Sequence, residues 1–200
     1  MNFLTVLDYD HLDNGMFLTA FARSLAQKKE SGIIIHSDSE YTDRLIQTGM
    51  MREDARLRAI KDLNHRLIAL FADQGVSTIG VNGHQKSLIQ LYGEEIRINR
   101  EQVRRFPSQP MLLISGLAED LSGDTPKALS LPEMARSFQQ SFDIEEVILF
   151  STDESSSIIK GDFPQTIIPA EKDDSYLNKH VPSSFRNFKY KVKLHTPDTF

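Results

Sequence analysis

Four short runs of almost wholly apolar residues, Phe3–Leu7, Ile33–Ile35, Met111–Ile114 and Val147–Phe150, constrain this chain more than any other feature. Successive side chains of a strand point to opposite faces, so a strand that is apolar throughout must be covered on both sides. The segments between the runs carry a different period. Met16, Phe17, Ala20, Phe21 and Leu25 recur at helical spacing before Ser31 and Gly32 stop the pattern. Leu57, Ile60, Leu63, Leu67 and Leu70, with Phe71, mark one face of a long helix from about Glu53 to Asp73. Five basic and four acidic side chains between Arg52 and Asp73 occupy the rest of that helix, and Gly75 ends it.

Further strands are expected over Val76–Val81 and Glu94–Asn99. Ser37 with Glu40, and Ser130 with Glu133, have the spacing of capping boxes that open helices. Strands alternating with helices in this way predict a three-layer α/β/α sandwich around a mostly parallel sheet. Ligands of such folds sit beyond the C-terminal ends of the strands. That points to the loops Asp8–Gly15, His36–Glu40, Asn82–Ser87, Ser115–Thr125 and Ser151–Ser157.

The character changes after Gly161. Pro164, Pro169, Pro182 and Pro197 punctuate the segment, and no acidic residue lies between Ser175 and Pro197. Phe188, Tyr190, Val192 and Leu194 alternate with lysines, which predicts an amphipathic strand at a sheet edge. The expected organisation is one lobe over residues 1–160 and a short basic extension over 161–200.

Composition closes off several function classes. Without cysteine there is no disulfide framework, thiolate metal site or thiol nucleophile. The net charge of -5 argues against a globally basic nucleic-acid binder. No run reaches the length of a membrane-spanning helix, and the first residues do not read as a signal peptide, so a cytoplasmic location is expected and a membrane partner is not.

The segment Asp62–Phe71, followed by Gly80-Val81-Asn82-Gly83, resembles the amino-acid kinase family and is most similar to acetylglutamate kinase. In that family a long helix bearing an Asn leads into a strand and a Gly-rich loop, as Asn64 and Gly80–Gly83 do here. The strand ending at His36, the Thr48-Gly49 loop, Gly123-Asp124-Thr125 and Ser151-Thr152-Asp153 follow the same order over about residues 2 to 158. The resemblance implies a carbamate-kinase-like fold and ATP-dependent phosphorylation of an acylated amino-acid carboxylate, with Mg. It also implies a homodimer through the Glu53–Asp73 helix.

The same resemblance exposes losses. Family members bring a strand-1 lysine and two glycine-rich turns to the phosphates, because a transferring phosphoryl group spreads negative charge that lysine and backbone N–H groups must stabilise. Here strand 1 ends Leu7-Asp8-Tyr9-Asp10, and the second turn reads His36-Ser37-Asp38-Ser39. The family's Asn-x-Asn-x-Asp falls on Leu129–Glu133, where only the final acid survives and also suits a cap. The nucleotide lobe is expected to be largely missing. The expected function is therefore a pseudokinase-like binder of a small anionic metabolite or a partner, without a cofactor.

Its substrate-side pocket would comprise His36, Ser37, Ser39, Arg52, Asn82, Gly83, Ser115 and Gly116, with Arg52 as a guanidinium clamp for a carboxylate. The alternative is an active divergent kinase using ATP and Mg, with Glu133 or Asp153 as its acid. Asp8, Asp10, Asp13 and Asp38 are hard-cation ligands by type, but their spacing suits turns and caps, and no metal site is expected. Nucleic-acid binding through the basic tail is a further alternative, and nucleic acid is not the expected partner.

Overall fold

The computed structural model describes residues 3–107, 109–153 and 163–200. The apolar runs become the middle of a seven-stranded sheet. β1 (Leu4–Leu7) lies at its centre, flanked by β2 (Ile33–His36) and by β9 (Val147–Phe150). Beyond β2 come β6 (Met111–Ser115) and β3 (Thr78–Asn82), and beyond β9 come β11 (Val192–His195) and β10 (Gln165–Ile167). Every pairing is parallel except that of β10 with β11. A smaller sheet carries β5 (Glu95–Ile98), β4 (Ile89–Tyr92), β7 (Leu117–Asp120) and β8 (Lys127–Ala128), in that order.

Burial on both faces explains why the central strands read as unbroken apolar runs. Ile34, Leu113 and Phe150 pack against α2 (Gly15–Gln27) and α4 (Arg52–Asp73) through Phe17, Phe21, Leu25, Leu63, Leu67 and Phe71. Ile33, Ile35, Ile114 and Leu149 face the other way, against Val103 of α5 (Arg100–Arg104), Met134, Ala135 and Phe138 of α6 (Leu131–Phe142), Leu177 of α7 (Asp174–His180) and Ile89 of the small sheet. Each large apolar side chain removed from water here contributes about 1.5–3 kcal/mol. The apolar stripe of α4 is used inside the chain, on the sheet and on α3 (Tyr41–Gln47) through Ala55 and Ala59.

Several local expectations are corrected. The Asp8–Gly15 segment is not all loop, since Tyr9–Leu12 makes one helical turn, α1, that buries His11 and Leu12. Neither capping box forms. Glu40 is itself helical in backbone, and Ser39 Oγ instead accepts from Tyr41 N at 3.2 Å. At α6 the Ser130 side chain makes no cap bond, and Pro132 in the first turn needs no N–H partner. Gly75 ends α4 at φ +78°, in the conformation glycine adopts without penalty. Strands β4, β7 and β8 were missed because each is short, and only β4 and β7 bury much side chain.

The largest difference lies at the C-terminal end. The lysine-alternating strand exists, but it is not an edge strand. β11 lies between β9 and β10, with Val192 opposite Val147 and Ile167. Val192 and Leu194 are fully buried, and β10 takes the edge. The 161–200 segment thus supplies two strands of the main sheet. The boundary at residues 160 and 161 lies outside the described residues.

Candidate functional site

The order of strands reverses at β1. From β1 the chain passes through α2 to β2 on one flank, whereas β9 on the other flank leads to β11. Such a reversal leaves a crevice beyond the strand ends where α/β proteins place ligands. In this chain the C-terminal segment reaches into the crevice. Asp8 Oδ2 accepts from Ser184 Oγ at 2.8 Å, and Asp10 Oδ2 accepts from Ser183 N at 3.1 Å. Beside them Ser151 Oγ meets His180 Nδ1 at 3.1 Å, and Ser151 N donates to His195 O at 2.8 Å.

Asp8 is 3% exposed. Burial raises its pKa above the usual carboxylate value, Asp10 adds to that, and hydrogen bonds from Tyr9 N and Ser184 partly restore the ionised form. His11 packs on Phe17 with ring centroids 4.4 Å apart and the planes tilted by 32°, and burial lowers its pKa to about 4.

A pocket of about 250 Å³ remains open over the ends of β1 and β2. Asp8, Tyr9, Ser37, Asp38, Arg56 and the start of α6 line it, with Ser183 and Ser184 closing one side. Arg56 Nε stands 3.0 Å from Asp38 Oδ2 and its second nitrogen 3.4 Å from Oδ1, while Ser37 Oγ donates to Asp38 Oδ1 at 3.1 Å. The pocket opens along α6 into a groove of about 650 Å³, with which it shares Ser130, Pro132 and Ser184. Glu133 lines that groove, as does Arg136, whose guanidinium lies 3.7 Å from the centre of the Tyr190 ring.

The expected site residues are only partly brought together. Ser37 lines the pocket, and Ser39 caps α3. His36, Asn82, Gly83, Ser115 and Gly116 form a separate buried seam that stitches strand ends to the small sheet. Gly116 N donates to His36 O at 2.7 Å, Gly83 N to Ser115 O at 3.3 Å, and Ser115 Oγ to Asn82 Oδ1 at 3.0 Å. A Cβ on Gly83 would collide with the carbonyls of Leu117 and Ser115, which accounts for glycine there. His36 is fully buried, which lowers its pKa to about 4. Asn64, which carried the resemblance, donates Nδ2 to Val81 O at 3.1 Å and so ties α4 to β3.

Arg52 sits exposed at the start of α4, and its neighbour one turn on, Arg56, takes the position at the strand ends. That guanidinium is already engaged by Asp38, and two carboxyl groups share the pocket with it. Asp153 pairs with Lys179 at 3.4 Å rather than meeting Glu133. Residues 154–157 of the Ser151–Ser157 loop lie outside the described residues.

Ser183 and Ser184 were not anticipated. Ser184 contacts Asp8 across 176 positions of sequence, and no local pattern marks so distant a pair. Asp13 receives Glu40 N and Arg44 at 2.8 Å each, a structural role rather than a metal site. Among the described residues no group of three or more His, Asp or Glu could hold a metal ion, and no helix is long and apolar enough to cross a membrane. The residues at the ends of β1 and β2 do not fit Mg·ATP. Two carboxyls and internal hydrogen bonds stand where a triphosphate needs lysine and open backbone N–H groups.

No protein-family model and no curated protein matches the sequence. Solved structures match the fold. The smu.665 protein of Streptococcus mutans UA159 aligns with a TM-score of 0.64 at 12% identity, over 96% of this chain and 98% of that one. N-acetylglutamate synthase from Neisseria gonorrhoeae aligns at 0.63 and 16%, over 98% of this chain and 54% of that one. The isopentenyl phosphate kinase of T. acidophilum aligns at 0.59 and 10%, over 98% and 92%. The chain thus spans about half of the synthase and nearly all of that kinase. These neighbours, with the mostly parallel sheet, make the fold amino-acid-kinase-like.

Proposed function

We propose that this chain is a non-catalytic, amino-acid-kinase-like domain that binds a small polar metabolite at the strand ends and transfers no phosphoryl group. One observation carries the reading. Asp8 stands at the end of β1, where the resemblance places a phosphate cradle, and it is hydrogen-bonded to Ser184 of the chain's own C-terminal segment. A carboxyl there repels a triphosphate, and it is already engaged by the Ser184 hydroxyl. Support therefore comes from the residues at the strand ends and not from the length of the chain. Ser130 and Ser183 add hydroxyls to the pocket lining, which suit a small polar ligand better than a polyanion.

Calorimetric titration with Mg·ATP tests the proposal, and no saturable heat is expected. ATP binding accompanied by ADP release that depends on an acylated amino acid would overturn it. The divergent-kinase reading draws its support from Glu133, whose carboxylate lines the groove without a capping box. Under that reading Glu133→Gln abolishes the ADP release, and under ours there is none to abolish.

A further inference from the structure

A second cavity, of about 270 Å³, lies on the α2 side of the sheet and shares no residue with the strand-end pocket. Register puts its polar groups together. Lys193 and His195 of β11 stand opposite Ile148 and Phe150 of β9, and so on the face that α2 covers. Lys28, just past the end of α2, completes the inner wall. Its ammonium lies 4.1 Å from the centre of the Phe200 ring and 5.3 Å from that of Phe3. Among the described residues no carboxylate lies within ion-pair distance of Lys28. Its pKa is lowered by burial, with Lys193 contributing, while Glu30 acts in the opposite sense.

His195 makes the wall specific. Its Nδ1 lies 2.8 Å from Thr199 O, a group that can only accept, so the proton of the neutral ring sits on Nδ1. Nε2 is then a bare acceptor, and it is buried without a partner in a residue only 7% exposed. Burial lowers the pKa of His195 to about 4. Lys193 and Lys28 both lower it further, and Thr199 O and Glu146 oppose them. The charged groups facing the ring are therefore two ammoniums and one carboxylate, and Glu146 is held 3.9 Å from Lys193. The other carboxylates, Glu30 and Glu145, are exposed at the rim.

We propose that this cavity is a site for a phosphate-type oxyanion that retains one O–H, such as hydrogen phosphate or the monoanion of a phosphate monoester. The P–O–H donates to His195 Nε2, and the charged oxygens face Lys28 and Lys193. Each unmet group of the wall then has a partner, and the volume left over accommodates an ester substituent. Sulfate, which carries no proton at neutral pH, offers nothing to Nε2.

The test uses inorganic phosphate and isotope-labelled full-length protein, reading the His195 ring nitrogens by NMR, with His195→Gln giving the assignment. Saturable shifts of Nε2 are expected, with a Kd of about millimolar or tighter. Lys28→Met, which keeps the alkyl stem over the two rings, should weaken binding by about tenfold or more. Sulfate at matched ionic strength should bind about tenfold more weakly than phosphate. If Lys28→Met does not fold, Lys193→Met takes its place with the same expectation. No saturable response at His195, equal affinity in the lysine variant, or equal affinity for sulfate would each overturn the proposal. The outcome is independent of Mg·ATP binding at the strand ends.

Discussion

The strand-end pocket and the α2-side cavity lie on one sheet and treat their polar groups differently. At the strand ends Asp8 and Asp38 find their partners inside the chain, in Ser184, in Ser37 and in Arg56. In the cavity Lys28 rests on aromatic rings and His195 keeps one nitrogen bare. A buried group that its own fold satisfies is architecture, whereas one left unsatisfied costs stability unless something else meets it. The contrast places anion-binding chemistry away from the crevice where the resemblance would put it.

The largest effect that tests this contrast is acid unfolding. His36 at the strand ends, His195 in the cavity and His11 at the crevice are all held at about pKa 4 by burial. The unfolded chain regains values near 6.5, so between pH 6.5 and 4 it binds more protons than the folded chain. Stability is complete above pH 6.5 and is lost as pH falls, by up to about 1.4 kcal/mol per pH unit for each histidine. Asp8 acts in the opposite sense, because its raised pKa makes the folded state hold a proton longer just above pH 3.8. Urea midpoints measured across this range should fall steeply with acid, and His36→Gln and His195→Gln should each remove a share of the slope. An unchanged slope in His195→Gln would mean that the cavity is already open to water.

What could be read from the sequence followed the range of the interaction. The central strands, α2, α4 and α6 were legible because their periods are local and both faces of the sheet demand apolar cover. The C-terminal strand was legible as a strand, but its place between β9 and β10 was not, since lysine alternation describes a half-exposed face and says nothing about neighbours along the sheet. The capping boxes were misread because spacing permits a hydrogen bond without requiring one. Among site residues, Ser37 was found through its loop and Arg52 was chosen one turn short of Arg56. Ser184 acquires its role only from a partner 176 positions away, and His195 only from the place of β11 beside β9.

The next effect isolates the crevice. Asp8→Ala takes from the N–H groups of Tyr9 and Ser184 and from the Ser184 hydroxyl the acceptor they share, while relieving a desolvated carboxyl. The net expectation is about 2 kcal/mol of destabilisation in urea. Asp8→Asn should cost less, because the amide oxygen still accepts from Ser184. Cleavage by protease around Ser183 should rise in the alanine variant, since Ser184 loses its anchor. An Asp8→Ala protein as stable as the parent would mean that the carboxyl serves a ligand instead of the C-terminal segment.

The smallest effect decides whether the strand-end pocket is closed to anions. Arg56 is 41% exposed and Asp38 21%, so their pairing is screened by water, and Arg56→Met should cost only about 1 kcal/mol. Salt should shrink that cost, because ions screen the partly exposed pair. The double-mutant cycle with Asp38→Asn separates the pair from everything else each residue does. A coupling of about 0.5–1 kcal/mol means that the guanidinium is engaged by Asp38 and unavailable to a ligand. A coupling of zero means that the two side chains do not hold each other. Arg56 would then be a free cation facing Ser37 and the start of α6, the pocket would accept an oxyanion after all, and the two regions would no longer differ in the sign of the charge they can bind.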